Sequence, residues 1–152
     1  MVPVPASQPA PAVSYIGPHS GVTCPDWIVF TAAMAKHYRI RPAFAMGVAF
    51  AEGSIPDGPD FRFGRVGRYW LPWGIHNYVV KERGWPVWDV YVQTEVAIRA
   101  LSGHMSRARH KHPGISTGRV EVLALRKYNC SFNQGYLKRV REGERRFGRM
   151  VR

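Results

Sequence analysis

Acidic side chains are scarce in this chain of 152 residues: ten Asp and Glu stand against 22 Lys and Arg, for a formal charge of +12. That imbalance points to a polyanionic partner. Cysteine is scarcer still. Cys24 and Cys130 are too few for a disulfide framework and form one bridge or none. No apolar run approaches the ~20 residues of a membrane span, so no membrane span is expected. No Cys or paired acid joins His104, His110 and His112 at ligand spacing. They read as a solvated basic loop, and neither a metal nor another cofactor is expected. No internal repeat is visible.

What the chain does have is a globular composition, 45% apolar with five Trp, seven Tyr and seven Phe. A chain of this length supports one domain that buries roughly two-thirds of its unfolded surface. Its charge is uneven. Residues 1–98 hold 8 Lys and Arg against 7 acids, while residues 99–152 hold 14 against 3. Arg outnumbers Lys 17 to 5, which favours bidentate contacts to phosphate or carboxylate. The run Lys138, Arg139, Arg141, Arg145, Arg146, Arg149, Arg152 lies on one expected helix and suits non-specific polyanion or DNA contact.

Residues 1–20 carry five Pro and no Lys or Arg, and read as a flexible polyproline-type arm. They lack the basic start and the apolar segment of about 7–15 residues that a secretory signal needs. Residues 21–152 read as one mainly α domain. A helix begins near Pro25, with Trp27, Phe30, Ala33 and Met34 as its apolar stripe. Pro42 starts a second helix, to Glu52, that is apolar nearly all round and therefore central, with Gly53 as its C-cap. Gly and Pro punctuate the segment after it, and a small extended or β-hairpin piece is expected near residues 60–75. A long helix follows Asp89, and others run from about Arg119 and Gln134. The last is expected to pack through Leu137, Val140, Phe147 and Met150 and to send its Arg outward.

Glu52 is the candidate catalytic residue. It is the only acid between Asp26 and Asp57, and it ends an apolar helix on the line of Val48 and Ala45. Burial disfavours a charged carboxylate, and the partial negative charge of a helix C-terminus acts in the same direction. A Glu kept protonated near neutral pH is what a general acid for glycosidic cleavage requires.

Four segments extend this reading: Tyr38-Arg39-Ile40-Arg41-Pro42, Phe44 to Glu52, Gly74-Ile75-His76-Asn77 and Tyr128-Asn129-Cys130-Ser131. In order and separation they resemble the soluble lytic transglycosylase type of peptidoglycan-cleaving enzyme, within the lysozyme-like superfamily. The resemblance spans about residues 25–147. The family places a Ser directly after its catalytic Glu, a Met-Gln pair in the turn and Ala-Gly after Tyr-Asn. This chain has Gly53, His76-Asn77 and Cys130-Ser131 there. Cys130, at an Ala position, is expected to be a small packed side chain.

The resemblance implies a lysozyme-like fold and a lytic transglycosylase acting on peptidoglycan glycan strands. Glu52 would serve as acid and then base, with Tyr128 hydrogen-bonded to it or to the reacting sugar and Asn129 supporting that loop. Gly74, Ile75, His76 and Asn77 would line the sugar cleft, and Tyr69, Trp70 and Trp73 would stack on sugar faces. The first alternative is a lysozyme-type hydrolase pairing Glu52 with Asp57 or Asp60, Asp89 being a weaker partner. The second is an inactive basic structural or nucleic-acid-binding virion protein. A wall enzyme without a legible signal needs another route to the wall. The expectation is a bacteriophage virion protein, its Pro-rich arm docking a structural neighbour. Delivery at lysis or by a secretion system is the alternative.

Overall fold

A computed structural model of the chain describes residues 25–54 and 61–151. The Pro-rich arm, Cys24, Asp57 and Asp60 lie outside these residues. The architecture is mainly α with one small sheet, in the order α1 (Pro25–His37), α2 (Pro42–Gly53), β1 (Gly64–Val66), β2 (Tyr69–Leu71), β3 (Ile75–His76), α3 (Tyr78–Arg83), α4 (Val90–Lys111), α5 (Thr117–Tyr128) and α6 (Gln134–Phe147). No described helix is long and apolar enough to cross a membrane.

Local chemistry explains the helix starts. Pro42 occupies the first turn of α2, where its missing N–H costs nothing. The Asp89 carboxylate accepts from Tyr91 N at 2.8 Å and caps α4, so it serves the fold and not the catalytic pair. Ser116, not the neighbouring Thr117, caps α5 by accepting from Arg119 N. Asn133 caps α6 through Tyr136 N at 2.8 Å.

α2 is the central helix. From Phe44 to Phe50 every side chain is buried. It packs most extensively on α6, and two glycines allow the approach. A Cβ on Gly143 would lie 2.6 Å from Phe50 Cβ and 2.8 Å from Gly47 Cα. Gly143→Ala is therefore expected to force α2 and α6 apart and to destabilise the fold by about 1–2 kcal/mol, even after the better helix propensity of Ala. Urea unfolding checks this, and an unchanged midpoint would contradict the close packing.

Gly53 differs from expectation. It is the last helical residue, while Ser54 is the C-cap at φ −72°. Its glycine is required by packing, because a Cβ there would overlap the backbone of Pro72. Met150 is also corrected: it is exposed, while Leu137, Val140 and Phe147 pack on the core as expected and Gly143 joins them.

The sheet is antiparallel in the order β1-β2-β3, with Val66 opposite Tyr69 and Trp70 opposite Ile75. The expected hairpin thus gains a third strand from Ile75 and His76, and the helix α3 follows directly. Gly67, at φ +61°, closes the two-residue turn between β1 and β2. The sheet rests on an aromatic core around Trp27. Its ring meets Phe61 at 4.9 Å, Phe63 at 5.3 Å and Trp73 at 6.3 Å, each edge-on.

An ion-pair network ties α2, α5 and α6 together. Arg41 grips the buried Glu121 with two bonds, 2.8 and 2.9 Å, and also reaches Glu144 at 2.5 Å. Arg141 pairs with the same two acids. Arg139 and Arg146 pair with Glu142 and lie over the Phe50 ring. The expectation that α6 sends its Arg outward is therefore corrected in part. Arg139 and Arg141 are partly buried, while Arg146, Lys138, Arg145 and Arg149 are exposed as expected.

Candidate active site

Glu52 lies at the C-terminal end of α2, where three other segments converge on its carboxylate. Tyr136 OH, from the first turn of α6, donates to Glu52 Oε2 at 2.7 Å. Asn129 Nδ2, at the C-cap of α5, donates to the same oxygen at 3.3 Å. The Gly74 turn approaches the other oxygen so closely that a Cβ there would sit 2.5 Å from Oε1. Gly74 is also at φ +68°, so both space and backbone conformation demand glycine.

Burial pushes the Glu52 carboxyl up to about 7, against the opposing bonds from Tyr136 and Asn129, which favour the anion. Among the described residues no other carboxylate contributes to that shift. Burial, with the Glu52 charge second, raises Tyr128 and Tyr136 above the ordinary phenol range. Both phenols therefore remain proton donors. A group with these properties exchanges a proton near neutral pH within a fixed set of donors.

The Trp73-Gly74 turn is held by a buried polar network from α4. Trp73 N donates to Gln93 Oε1 at 2.9 Å, and Gln93 Nε2 donates to Leu71 O and Val87 O. Thr94 Oγ1 accepts from Trp73 Nε1 and Trp27 Nε1, each at 2.8 Å, and donates to Val90 O at 2.6 Å. Tyr128 OH donates to Trp73 O at 2.6 Å. Tyr128 consequently braces the turn and does not bond Glu52, as the sequence had suggested it could. Tyr136 fills that role.

Other sequence candidates divide similarly. Trp73 is fully buried, which removes it as a sugar-stacking face. Tyr69 is half exposed on β2, with its ring edge-on to His76 at 5.3 Å, and His76 meets Tyr78 at 5.1 Å. These three rings form an exposed aromatic strip. Ile75 is half-buried against the core. His76 Nδ1 accepts from Tyr78 N, and Asn77 Oδ1 accepts from Trp70 Nε1 at 3.0 Å. Asn129 Oδ1 also accepts from Ser131 N, so this side chain links its own loop to Glu52. Cys130 is exposed, not packed as expected. Among the described residues no three His, Cys, Asp or Glu side chains converge as metal ligands would.

Sequence reasoning missed Tyr136 and Thr94. A signal for Tyr136 existed: it lies four residues before Val140 and eleven before Phe147, on the face of α6 that packs against α2. Set against known protein families, curated proteins and solved structures, the chain finds no match.

Proposed function

We propose that the chain is a peptidoglycan lytic transglycosylase of lysozyme-like fold, with Glu52 as its one acid and base. The observation that carries this reading is a carboxyl group raised to about 7 and fixed by Tyr136, Asn129 and the Gly74 turn. Protonated Glu52 gives its proton to the oxygen linking N-acetylmuramic acid to N-acetylglucosamine. The bond from that oxygen to C1 of the muramoyl sugar breaks, and the glucosamine end leaves as an alcohol. Glu52, now a carboxylate, takes the proton of the muramoyl C6 hydroxyl as O6 bonds to C1. The 1,6-anhydro ring closes without water, and Glu52 is protonated again.

Tyr136 and Asn129 stabilise the carboxylate formed midway, while Tyr128 and Gly74 keep the turn beside it. Tyr69 and His76 in the exposed strip offer sugar-stacking faces. Delivery from a bacteriophage virion, with the Pro-rich arm on a structural neighbour, accords with this role. Finding the chain in purified virions supports that route, and its absence there moves delivery to lysis or secretion.

Release of soluble fragments from purified sacculi tests the activity, and intact sacculi after prolonged incubation would overturn it. Tyr136→Phe removes a donor that favours the ionised form. It should raise the Glu52 pKa by about one unit and lower the rate about tenfold. The falling alkaline limb of the pH–rate profile should then move to higher pH. A lower rate with an unmoved limb would make Tyr136 a packing residue only.

A further inference from the structure

All three acids beyond residue 98, Glu121, Glu142 and Glu144, are committed to Arg41, Arg139, Arg141 and Arg146. Lys138, Arg145 and Arg149 stay exposed, and a further part of the uncompensated charge of this region is gathered in one place. Between the C-terminal half of α4 and α5 runs a groove of about 600 Å³, and six of its eight lining side chains are basic: His104, Arg107, Lys111, His112, Arg126 and Lys127. No carboxylate lines it among the described residues. Its Arg and Lys form no ion pair with a described acid.

Basic residues complement a helix C-terminus, but that effect is worth only ~0.3–1 kcal/mol at each. The four permanent cations of the groove are exposed to solvent, and an anion bound among them would relieve their mutual repulsion. Arg107 Nη2 lies 2.8 Å from His104 Nδ1. A guanidinium has no acceptor, so Nδ1 carries the lone pair and Nε2 carries the hydrogen. Burial, then the charges of Arg107 and Lys127, lowers the His104 pKa, and its ring is a neutral donor at pH 7.

We propose that this groove binds the phosphate groups of a flexible polyol-phosphate chain. The Arg pair supplies forked donors for phosphate oxygens, and Lys111 and Lys127 add point charge. A groove of this volume takes a few units of a single flexible chain. Single-stranded nucleic acid is held by aromatic side chains on which its bases stack. Among the described residues no Trp, Tyr or Phe lines the groove, whose rings are the imidazoles of His104 and His112, and Ala108 and Leu123 suit the carbons of a polyol. The site is separate from Glu52 and does not depend on the reaction proposed there.

The test is calorimetric titration of the full chain with a short poly(glycerol phosphate) oligomer. Arg107→Gln/Lys127→Gln should weaken binding by about tenfold or more. Arg145→Gln/Arg149→Gln, which removes the same charge from the exposed face of α6, should change it by less than about twofold. If the first pair lowers the thermal midpoint, Lys111→Gln/Arg126→Gln takes its place with the same expectation. Equal weakening by groove and control variants would show diffuse surface charge and overturn the proposal. So would tighter binding of an oligothymidylate of equal charge, which would make the occupant a nucleic acid. Inorganic phosphate binding as tightly as the oligomer would also overturn it.

Discussion

Glu52→Gln is expected to lower glycan cleavage by about 10²–10⁴-fold, the range a positioned general acid contributes. The upper end is favoured because one group performs both proton transfers. Gln keeps the acceptor for Tyr136 and Asn129, so the loss would be of chemistry and not of shape. Stability should move the other way. The folded-state pKa of Glu52, about 7, exceeds its ordinary 4.5, so the folded chain holds a proton that the unfolded chain has lost between those values. Its contribution to stability is full below about 4.5 and lost as pH rises through about 7. At pH 8 the neutral Gln should be more stable than the wild type, by an amount on the order of 2–3 kcal/mol. At pH 4 the difference should vanish. Thermal unfolding at the two pH values checks both halves. Equal stability at pH 8 would contradict a buried, strained carboxylate.

The second large effect is at Thr94, which is fully buried. Its hydroxyl accepts from two buried indoles and donates to a backbone carbonyl, which uses its full hydrogen-bonding capacity. Thr94→Val has nearly the same shape but leaves Trp27 and Trp73 Nε1–H without an acceptor. Each unsatisfied buried donor costs about 1–3 kcal/mol, so a total of about 2–6 kcal/mol is expected. The midpoint of thermal unfolding should fall by roughly 5–15 °C for a chain of this size. Cleavage should also fall in the surviving folded protein, because Trp73 positions Gly74 against Glu52. A loss under about 1 kcal/mol would show that the indoles find other partners.

The general design was legible in the sequence because apolar periodicity and proline placement act locally. Pro25 and Pro42 mark the starts of α1 and α2, Asp89 caps α4, and the apolar run from Phe44 to Phe50 makes α2 central. The isolation of Glu52 among apolar neighbours was equally visible, and its burial follows. What could not be read was which phenol reaches it. Tyr128 and Tyr136 both lie near the α5–α6 junction, and their roles are set by how closely α6 approaches α2. That distance depends on Gly47 and Gly143 meeting across the interface, which is a pairwise fact about two separated glycines. Trp73 failed as a surface candidate for a similar reason. Pro72 and Gly74 mark a turn around it, but Gln93 and Thr94, about twenty residues on, draw it inward. The basic C-terminal third was visible as composition. Which of its Arg are paired on α6, and which cations there and between α4 and α5 are not, depended on where three acids pair.

In the proposed reaction Glu52 alone cleaves a glycan by intramolecular ring closure. Mass analysis of the fragments released from purified peptidoglycan tests it most directly. The wild-type chain should yield 1,6-anhydromuramoyl ends, each lighter by one water than a reducing end, and Glu52→Gln should yield none. Hydrated reducing ends would instead assign a hydrolase with a second carboxylate, and undiminished cleavage by Glu52→Gln would remove Glu52 from the site.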